Sequence, residues 1–298
     1  MADITLTYKG ATISEISASG TTTIETAGKY CEDNITLSYV QPGGGGGADP
    51  FTPKLDGKTH LWFQLVSAAD LTVKIYVPGT VTVDWGDGNS NTSTVGTNTH
   101  TYASVGLFDV SFPLGTYWGN STYIPYKYRN KLIAAELAYA LSGTNGLSYA
   151  YDLQSAYLAD GTIGSYVNSL FYQSYGLQKC RLDQNITAIG NDMFRECYSL
   201  SSIDIPPEVT SIGSTAFQYC RALETVTIPS KVTSIGNGAF QYCVSITEYH
   251  IKPASPPTIG TNSFYNGSAT RFYVPSASLS TYKTASGWST FASKMIGE

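Results

Sequence analysis

Hydrophobic and polar positions alternate in short runs over the first 115 residues, then settle into one fixed long period. Near the N-terminus, Ile4-Thr5-Leu6-Thr7-Tyr8, Thr21-Thr22-Thr23-Ile24 and Asn34-Ile35-Thr36-Leu37-Ser38-Tyr39 alternate with a step of two. That step, carried by β-branched residues, predicts strands. A second set follows: Leu61-Trp62-Phe63-Gln64-Leu65-Val66, Leu71-Thr72-Val73-Lys74-Ile75-Tyr76-Val77 and Val81-Thr82-Val83-Asp84-Trp85. Turn residues separate these runs, so residues 51–115 are expected to fold as a small β-sandwich. Between the two sets, Gly43 to Gly47 run unbroken into Ala48-Asp49-Pro50, which predicts a flexible linker over 43–50.

Beyond about residue 116 the pattern repeats. Ile186-Thr187-Ala188-Ile189-Gly190, Val209-Thr210-Ser211-Ile212-Gly213 and Val232-Thr233-Ser234-Ile235-Gly236 align without gaps. At constant offsets follow Phe194/Phe217/Phe240, Cys197/Cys220/Cys243, Leu200/Leu223/Ile246 and Ile205/Ile228/Ile251, at an interval of 23 residues. A unit this short cannot bury its apolar side alone, and stacking the units produces one continuous core. Phe171, Leu177 and Leu182 mark a weaker unit upstream. Ile259-Gly260, Phe264 and Phe272-Tyr273-Val274-Pro275 mark a degenerate one downstream. Between 116 and 162 the register blurs and tyrosine accumulates; Leu153 and Leu158 align with Leu177 and Leu182 after a one-residue slip. Leu279, Tyr282, Trp288, Phe291 and Met295 have a spacing compatible with a short helix closing the solenoid.

The expected chain is therefore multi-domain and mostly β. Residues 1–42 form a small N-terminal β module, 43–50 the linker, 51–115 the sandwich, 116–275 the solenoid and 276–298 a helical cap. A module of about 40 residues is marginal alone and is expected to lean on a partner or to self-associate.

Three resemblances sharpen this picture. The Thr-rich run, Gly turn and closing Asn34-Ile35-Thr36-Leu37-Ser38-Tyr39-Val40-Gln41-Pro42 resemble small N-terminal modules of phage and prophage tail proteins. Asp84-Trp85-Gly86-Asp87-Gly88, with His100-Thr101-Tyr102 and Gly106-Leu107-Phe108-Asp109-Val110, resembles the PKD family of immunoglobulin-like domains, which implies a spacer or adhesive module. The repeat V/I-T-x-I-G-x-x-x-F-x-x-C-x-x-L/I, closed by x-V-T-I-P as in Glu224-Thr225-Val226-Thr227-Ile228-Pro229, resembles the BspA-like leucine-rich repeats of bacterial surface proteins.

Charge narrows the function classes. Charged residues make up 13% of the chain, about half the usual share, so Ser, Thr, Asn, Gln and Tyr must supply its polar surface. A net charge of −5 and scattered basic residues argue against a nucleic-acid partner. No run of about 18 apolar residues predicts membrane insertion. Met1-Ala2-Asp3-Ile4-Thr5-Leu6 lacks the basic and apolar regions of a secretory signal, leaving a signal already removed or export by another route, such as a virus particle.

The candidate chemistry is sparse. The cysteine column lacks the C-x-x-C pairs or histidines of a zinc site, so a metal reading competes with simple apolar filling, and packing is preferred. Asp84 and Asp87 flank a turn but fall short of the six or so oxygens that calcium needs. No nucleophile elbow accompanies His60, His100 or His250, so no catalytic residues, cofactor or metal are expected. Binding is better served. Beside the cysteines stand Arg195, Gln218, Tyr219, Gln241 and Tyr242 on one side and Tyr198 and Arg221 on the other. Stacked Tyr, Gln and Arg resemble the composition of binding surfaces. The alternative, that some of these tyrosines cover the core edge, stays open.

The expected function is adhesion or receptor binding, with a bacterial-surface glycan or protein as ligand and a tail or surface assembly as N-terminal partner. A structural subunit of such an assembly, a homo-oligomer held through the repeats, is the alternative.

Overall fold

The computed structural model describes residues 6–8, 11–13, 22–24, 35–37, 54, 56, 58–67, 71–77, 80–94, 96–113, 129, 131–137, 146–159, 167–265 and 270–298. The linker over 43–50, Cys31 and the tyrosines from Tyr117 to Tyr139 lie outside these residues. At the N-terminus, β1 (Leu6–Tyr8) pairs antiparallel with β2 (Ala11–Ile13), and β3 (Thr22–Ile24) with β4 (Ile35–Leu37).

The next strands are β5 (Lys58–Leu65), β6 (Thr72–Val77), β7 (Val81–Asp84), β8 (Ser90–Ser93), β9 (Gly96–Thr101) and β10 (Gly106–Pro113). Strands β5, β10, β7 and β8 are neighbours in one sheet, and β6 pairs with β9 in a second. Alternation turns Leu61, Phe63 and Leu65 of β5, Val73, Ile75 and Val77 of β6, and Val110 and Phe112 of β10 into a common core, with Val83, Trp85 and Tyr102. The turn after β7 is fixed by close approach. Gly86 has φ +77°, and a Cβ there would meet the Asp109 carbonyl oxygen at 2.6 Å, so only glycine fits. Trp85 stacks on His100 at 4.8 Å, and the Tyr102 hydroxyl donates to the Trp85 carbonyl at 2.9 Å.

The sandwich sheet does not stop at β5. Strand β11 (Leu132–Leu137) pairs antiparallel with β5, and β12 (Ser155–Leu158) and β13 (Lys179–Arg181) follow it in parallel. The first coils of the solenoid are thus laid directly against the sandwich, and the edge of β5 that would otherwise stand open is covered. Ala156 opposes Cys180 and Tyr157 opposes Arg181, which is the one-residue slip relative to the period of 23.

The later coils give short strands and, in all but the coil of residues 201–206, long ones. In chain order they are β14 (Ala188–Ile189), β15 (Ser211–Ile212), β16 (Thr225–Ile228), β17 (Ser234–Ile235), β18 (Glu248–Ile251), β19 (Thr258–Ile259), β20 (Arg271–Val274) and β21 (Met295–Gly297). Strands β14, β15, β17 and β19 form one parallel sheet, and β16, β18, β20 and β21 another. Residues 201–206 occupy the long-strand position without forming a strand, with Ile203 and Ile205 still turned inward.

Between the sheets, equal positions stack. Phe171, Phe194, Phe217, Phe240 and Phe264 form a column with ring centroids 5.3, 5.2, 5.1 and 5.7 Å apart. Cys197, Cys220 and Cys243 form a second column, fully buried, whose thiols donate to the carbonyls of Phe171, Phe194 and Phe217 at 3.2, 3.1 and 2.9 Å. Burial pushes the Cys197 and Cys220 thiols well above their usual range, so the column is filler that also satisfies main-chain acceptors. Gly213 and Gly236 let successive coils close up. A Cβ at either would meet the backbone nitrogen of the preceding coil, Asn191 at 2.6 Å or Ser214 at 2.5 Å.

The C-terminal cap holds the expected short helix and, beyond it, a strand. A helix, α1 (Leu279–Thr284), and a 3₁₀ turn over Trp288–Lys294 are followed by β21, so Met295 lies in a strand paired with Phe272. The last coil needs its main-chain groups paired, and β21 supplies them. Tyr282 donates to the Pro253 carbonyl at 2.8 Å and Trp288 to that of Pro257 at 2.6 Å, anchoring the cap.

One buried charge group sits where sandwich and solenoid meet. His60 of β5 is 2% exposed, opposite Glu136 of β11. Its Nδ1 meets Asp109 at 2.9 Å and its Nε2 meets Asp56 at 3.0 Å. Lys54 also bonds Asp109, and Trp62 stacks on the imidazole at 5.4 Å. Burial disfavours the imidazolium, but a carboxylate at each ring nitrogen outweighs it, and the His60 pKa is raised.

Three outcomes follow from these packings. Replacing Phe217 by Ala removes a ring stacked on both sides and should lower unfolding free energy by about 3–5 kcal/mol in urea titration; a loss under about 1 kcal/mol would contradict the ladder. Alkylation of the native protein, mapped by mass spectrometry, should leave Cys197, Cys220 and Cys243 unmodified until denaturant is added, and rapid native labelling would show the column open. The raised His60 pKa contributes stability in full below its unfolded value of about 6.5, lost as pH rises through the folded value. The urea midpoint should therefore fall on raising the pH through that range, and His60→Gln should flatten the fall; an equal fall in the variant would assign it elsewhere.

Candidate functional site

In each coil the short strand leads through a tight double turn back to the long strand, and this turn carries the candidate residues. The backbone there is unusual for non-glycine residues. Tyr149, Gln173, Glu196, Tyr219 and Tyr242, one per coil, have φ between 58° and 63°, and Ser169, Asp192 and Thr215 have φ of 53–54°. Left-handed backbone costs a residue with a Cβ about 1–2 kcal/mol. It is tolerated because each turn amide is tied to the next coil: Glu196 to the Gln218 carbonyl at 2.7 Å, Tyr219 to Gln241 at 2.9 Å, Tyr242 to Tyr265 at 2.9 Å.

Because each coil repeats the same turn, the side chains rise in columns. In the first, Tyr151, Tyr175 and Tyr198 stack at 5.0 and 4.8 Å, with ring planes 14° and 2° apart. The Arg221 guanidinium continues this column, 5.0 Å above the Tyr198 ring, and also lies 5.6 Å from Tyr219. Val244 follows, 64% exposed. In the second column Gln173 Nε2 donates to Glu196 at 3.1 Å, and Tyr219 stacks on Tyr242 at 4.7 Å. In the third, Arg195 sits over Tyr172 at 5.4 Å, and Gln218 Nε2 donates to Gln241 Oε1 at 2.6 Å.

All seven candidate residues thus fall on one face, in three adjacent columns. They are not equally available. Tyr242 and Arg221 are exposed and Arg195, Tyr198, Tyr219 and Gln241 half-buried, whereas Gln218 is buried beneath the face and acts through Gln241. The Tyr198 hydroxyl donates to Glu196 at 3.1 Å; burial, and then that bond, pushes its pKa up to about 12. Arg195 is held by Asp192 at 3.3 Å and Glu196 at 3.6 Å, and Thr215 donates to Asp192 at 2.7 Å. The two arginines are spread over rings and acids rather than held as a bare positive patch.

Tyr151, Tyr172 and Tyr175 belong to this face and are missing from the sequence-derived set. Tyr172 and Tyr175 stand one exact period before Arg195 and Tyr198 and could have been found by that spacing, whereas Tyr151 is displaced by the slip between the coils of β12 and β13. A second polar group lies on the outer side of the long strands. His250 stacks on Tyr273 at 4.8 Å and bonds Glu298 at 2.9 Å, Lys252 bonds Glu298 at 2.7 Å, and Tyr273 donates to Glu248 at 3.3 Å. It joins outward positions of β18 and β20, which alternate with the buried Tyr249, Ile251, Phe272 and Val274, to Lys252 just after β18 and Glu298 just after β21.

The turn aspartates have structural partners. Asp84 Oδ1 accepts the Gly86 amide at 2.9 Å; Asp87 Oδ1 accepts the Asn89 amide at 3.0 Å, and its Oδ2 meets His100 at 2.8 Å. Burial raises the Asp87 pKa, but the bonds from His100 and Asn89 outweigh it and the carboxyl titrates below its usual value. Among the described residues, no group of three or more His, Cys, Asp or Glu is arranged to hold a metal ion. No described helix is long and apolar enough to cross a membrane.

Comparison with known proteins agrees with the repeat. Residues 162–286 match the family described as BspA type leucine rich repeat region, in six copies. Similar solved structures include a leucine-rich repeat protein of T. pallidum, at 18% identity and TM-score 0.36, over 45% of this chain and 67% of that one. Another is a leucine-rich repeat protein of Bacteroides ovatus, at 22% identity and TM-score 0.37, over 46% and 43%. A third is a leucine rich cell surface protein of Faecalibacterium prausnitzii, at 27% identity and TM-score 0.35, over 46% and 42%. The chain spans less than half the length of the last two. No curated protein matches it. In period and in motif, residues 162–286 match a BspA-type leucine-rich repeat region.

Proposed function

We propose that the protein is an adhesion or receptor-binding protein, carried on a phage or prophage tail, and that its columned turn face recognises a ligand on the bacterial surface. The observation that carries this reading is the single face formed by Tyr151, Tyr175, Tyr198, Tyr219, Tyr242 and Arg221. Rigid aromatics beside Arg are the residue types that dominate binding energy where surfaces meet. Tyr149, Tyr219 and Tyr242 also stand at left-handed positions where glycine would relieve the backbone cost. A bulky side chain kept at such a position is supplied for its surface, since the Phe and Cys columns already fill the core.

The remaining parts fit the same reading. The PKD-like turn of Trp85-Gly86-Asp87-Gly88 suits a spacer, and the resemblance of residues 1–42 to tail modules suits attachment to a larger assembly. Ligand recognition requires no catalytic group, and the leucine-rich repeat family is one of binding and scaffold proteins.

The test is saturable binding of the purified full chain to a panel of intact bacteria. Tyr219→Ala, Arg221→Ala and Tyr242→Ala should each weaken binding about tenfold or more, while Thr227→Ala on the long-strand side should not. Binding to no cell of the panel, together with a stable oligomer that the same three substitutions dissociate, would overturn the reading in favour of a structural subunit.

A further inference from the structure

We propose that the turn face takes a linear, uncharged, β-linked polysaccharide lying along the solenoid axis, one sugar to each coil. This rests on the receptor-binding reading and narrows it to a ligand class and a binding direction.

The first argument is the step. Along the face, chemistry recurs once per coil: 5.0 and 4.8 Å from Tyr151 to Tyr175 to Tyr198, 5.0 Å on to Arg221, and 4.7 Å from Tyr219 to Tyr242. A ligand that uses the whole face must keep register with that step, repeating at it or at a whole multiple of it. An extended peptide advances about 3.3–3.4 Å per residue and shows the same side every second residue, so it falls out of register within a few coils. A polyproline helix rises about 3.1 Å per residue and docks into grooves between aromatic faces. An amphipathic helix needs an apolar groove. A pyranose ring in an extended β-1,4-linked chain advances by close to one coil step, and because alternate rings are turned over, the chain's full repeat, the disaccharide, spans two coils.

The second argument is what the rings offer. Their planes lie within 19° of parallel in both tyrosine stacks, so the sides turned toward one another are closed by a neighbour or by Arg221, and at the stack ends Tyr149 and Tyr265 lie near-perpendicular to Tyr151 and Tyr242. What remains toward solvent is ring edges and phenol oxygens, that of Tyr198 as an acceptor because its proton goes to Glu196. Such a surface does not grip a ligand by stacking on it. It hydrogen-bonds to a row of hydroxyls, with the amide of Gln241 alongside, and that row is what a neutral polysaccharide presents.

The third argument is charge. Arg195 is met by Asp192 and Glu196, and the Arg221 guanidinium lies on Tyr198. An anionic polymer would need cations free of such partners in every coil, and the columns supply tyrosine there instead. A neutral chain meets a single cation without an acid beside it, Arg221, spread over the rings of Tyr198 and Tyr219.

The test is calorimetric titration of the full-length protein with β-1,4-linked chito- and cello-oligosaccharides from dimer to hexamer, with maltohexaose as an α-linked control. One β-linked series should tighten with every added sugar, by at least tenfold from trimer to hexamer, and maltohexaose should bind at least tenfold more weakly than its hexamer. Tyr242→Phe keeps the stack and removes one hydroxyl, and should weaken the hexamer severalfold with no change in thermal unfolding. Binding to neither hexamer, equal binding of maltohexaose, or no gain beyond the dimer would overturn the proposal. Cells bound through this face but released by protease treatment would also overturn it in favour of a protein ligand, leaving the receptor-binding reading in place. Loss of cell binding altogether would remove both.

Discussion

The main-chain ladder from coil to coil is the constraint on which the rest depends. Where backbone amides reach carbonyls of an adjacent coil, as Phe194 does to Ala216 and Gly213 to Ile189, the coils are locked about 4.8 Å apart, and equal positions come to lie one above another. A side chain then has no choice of neighbour: its first contact is its own counterpart in the next coil. Phenylalanine stacks on phenylalanine, glutamine bonds glutamine, and the thiol of each buried cysteine finds a carbonyl of the preceding coil. The ladder also explains the glycines after the short strands, where a Cβ would strike backbone one coil away.

The same rule builds the core and the face, and only the side of the coil differs. Inward columns of Phe, Cys, Leu and Ile remove apolar surface from water, while outward columns of Tyr, Arg and Gln repeat at the same step along the solenoid. The tight turn that separates them needs left-handed backbone at Glu196, Tyr219 and Tyr242, a local cost covered by the amide bonds to the next coil. The ends need different solutions. At the N-terminal end β11 pairs with β5, so the sandwich itself caps the solenoid. At the C-terminal end α1, Trp288 and β21 close the last coil.

Much of this was legible in the sequence because it is periodic or local. Phe194, Phe217 and Phe240 announce the core by spacing alone, and Trp85-Gly86-Asp87-Gly88 announces a tight turn by its glycines. What escaped depends on pairing between distant segments. Nothing in Leu132-Ile133-Ala134-Ala135-Glu136-Leu137 reveals that its partner is β5, some seventy residues earlier. Met295 reads as one more apolar position of a helix, and only the open edge of β20 makes it a strand. At the face, Tyr219, Arg221 and Tyr242 were visible as positions beside the cysteines. Tyr175 lies one exact period before Tyr198 and was legible by the same spacing, while Tyr151 was obscured by the one-residue slip between the coils of β12 and β13. The burial of Gln218 follows from its bond to Gln241 and has no signature in spacing.

The functional reading inherits its strength from the ladder, since a face of stacked tyrosines exists only if the coils hold register from the sandwich to the cap. Hydrogen exchange of individual backbone amides in the full-length protein tests this most directly. The amides of Gln64 and Gln154, bonded across the junction to Lys131 and Ile133, should exchange as slowly as that of Phe217, bonded to Ala239 in the middle of the solenoid. Fast exchange at Gln64 and Gln154 with slow exchange at Phe217 would contradict a ladder running unbroken from sandwich into solenoid.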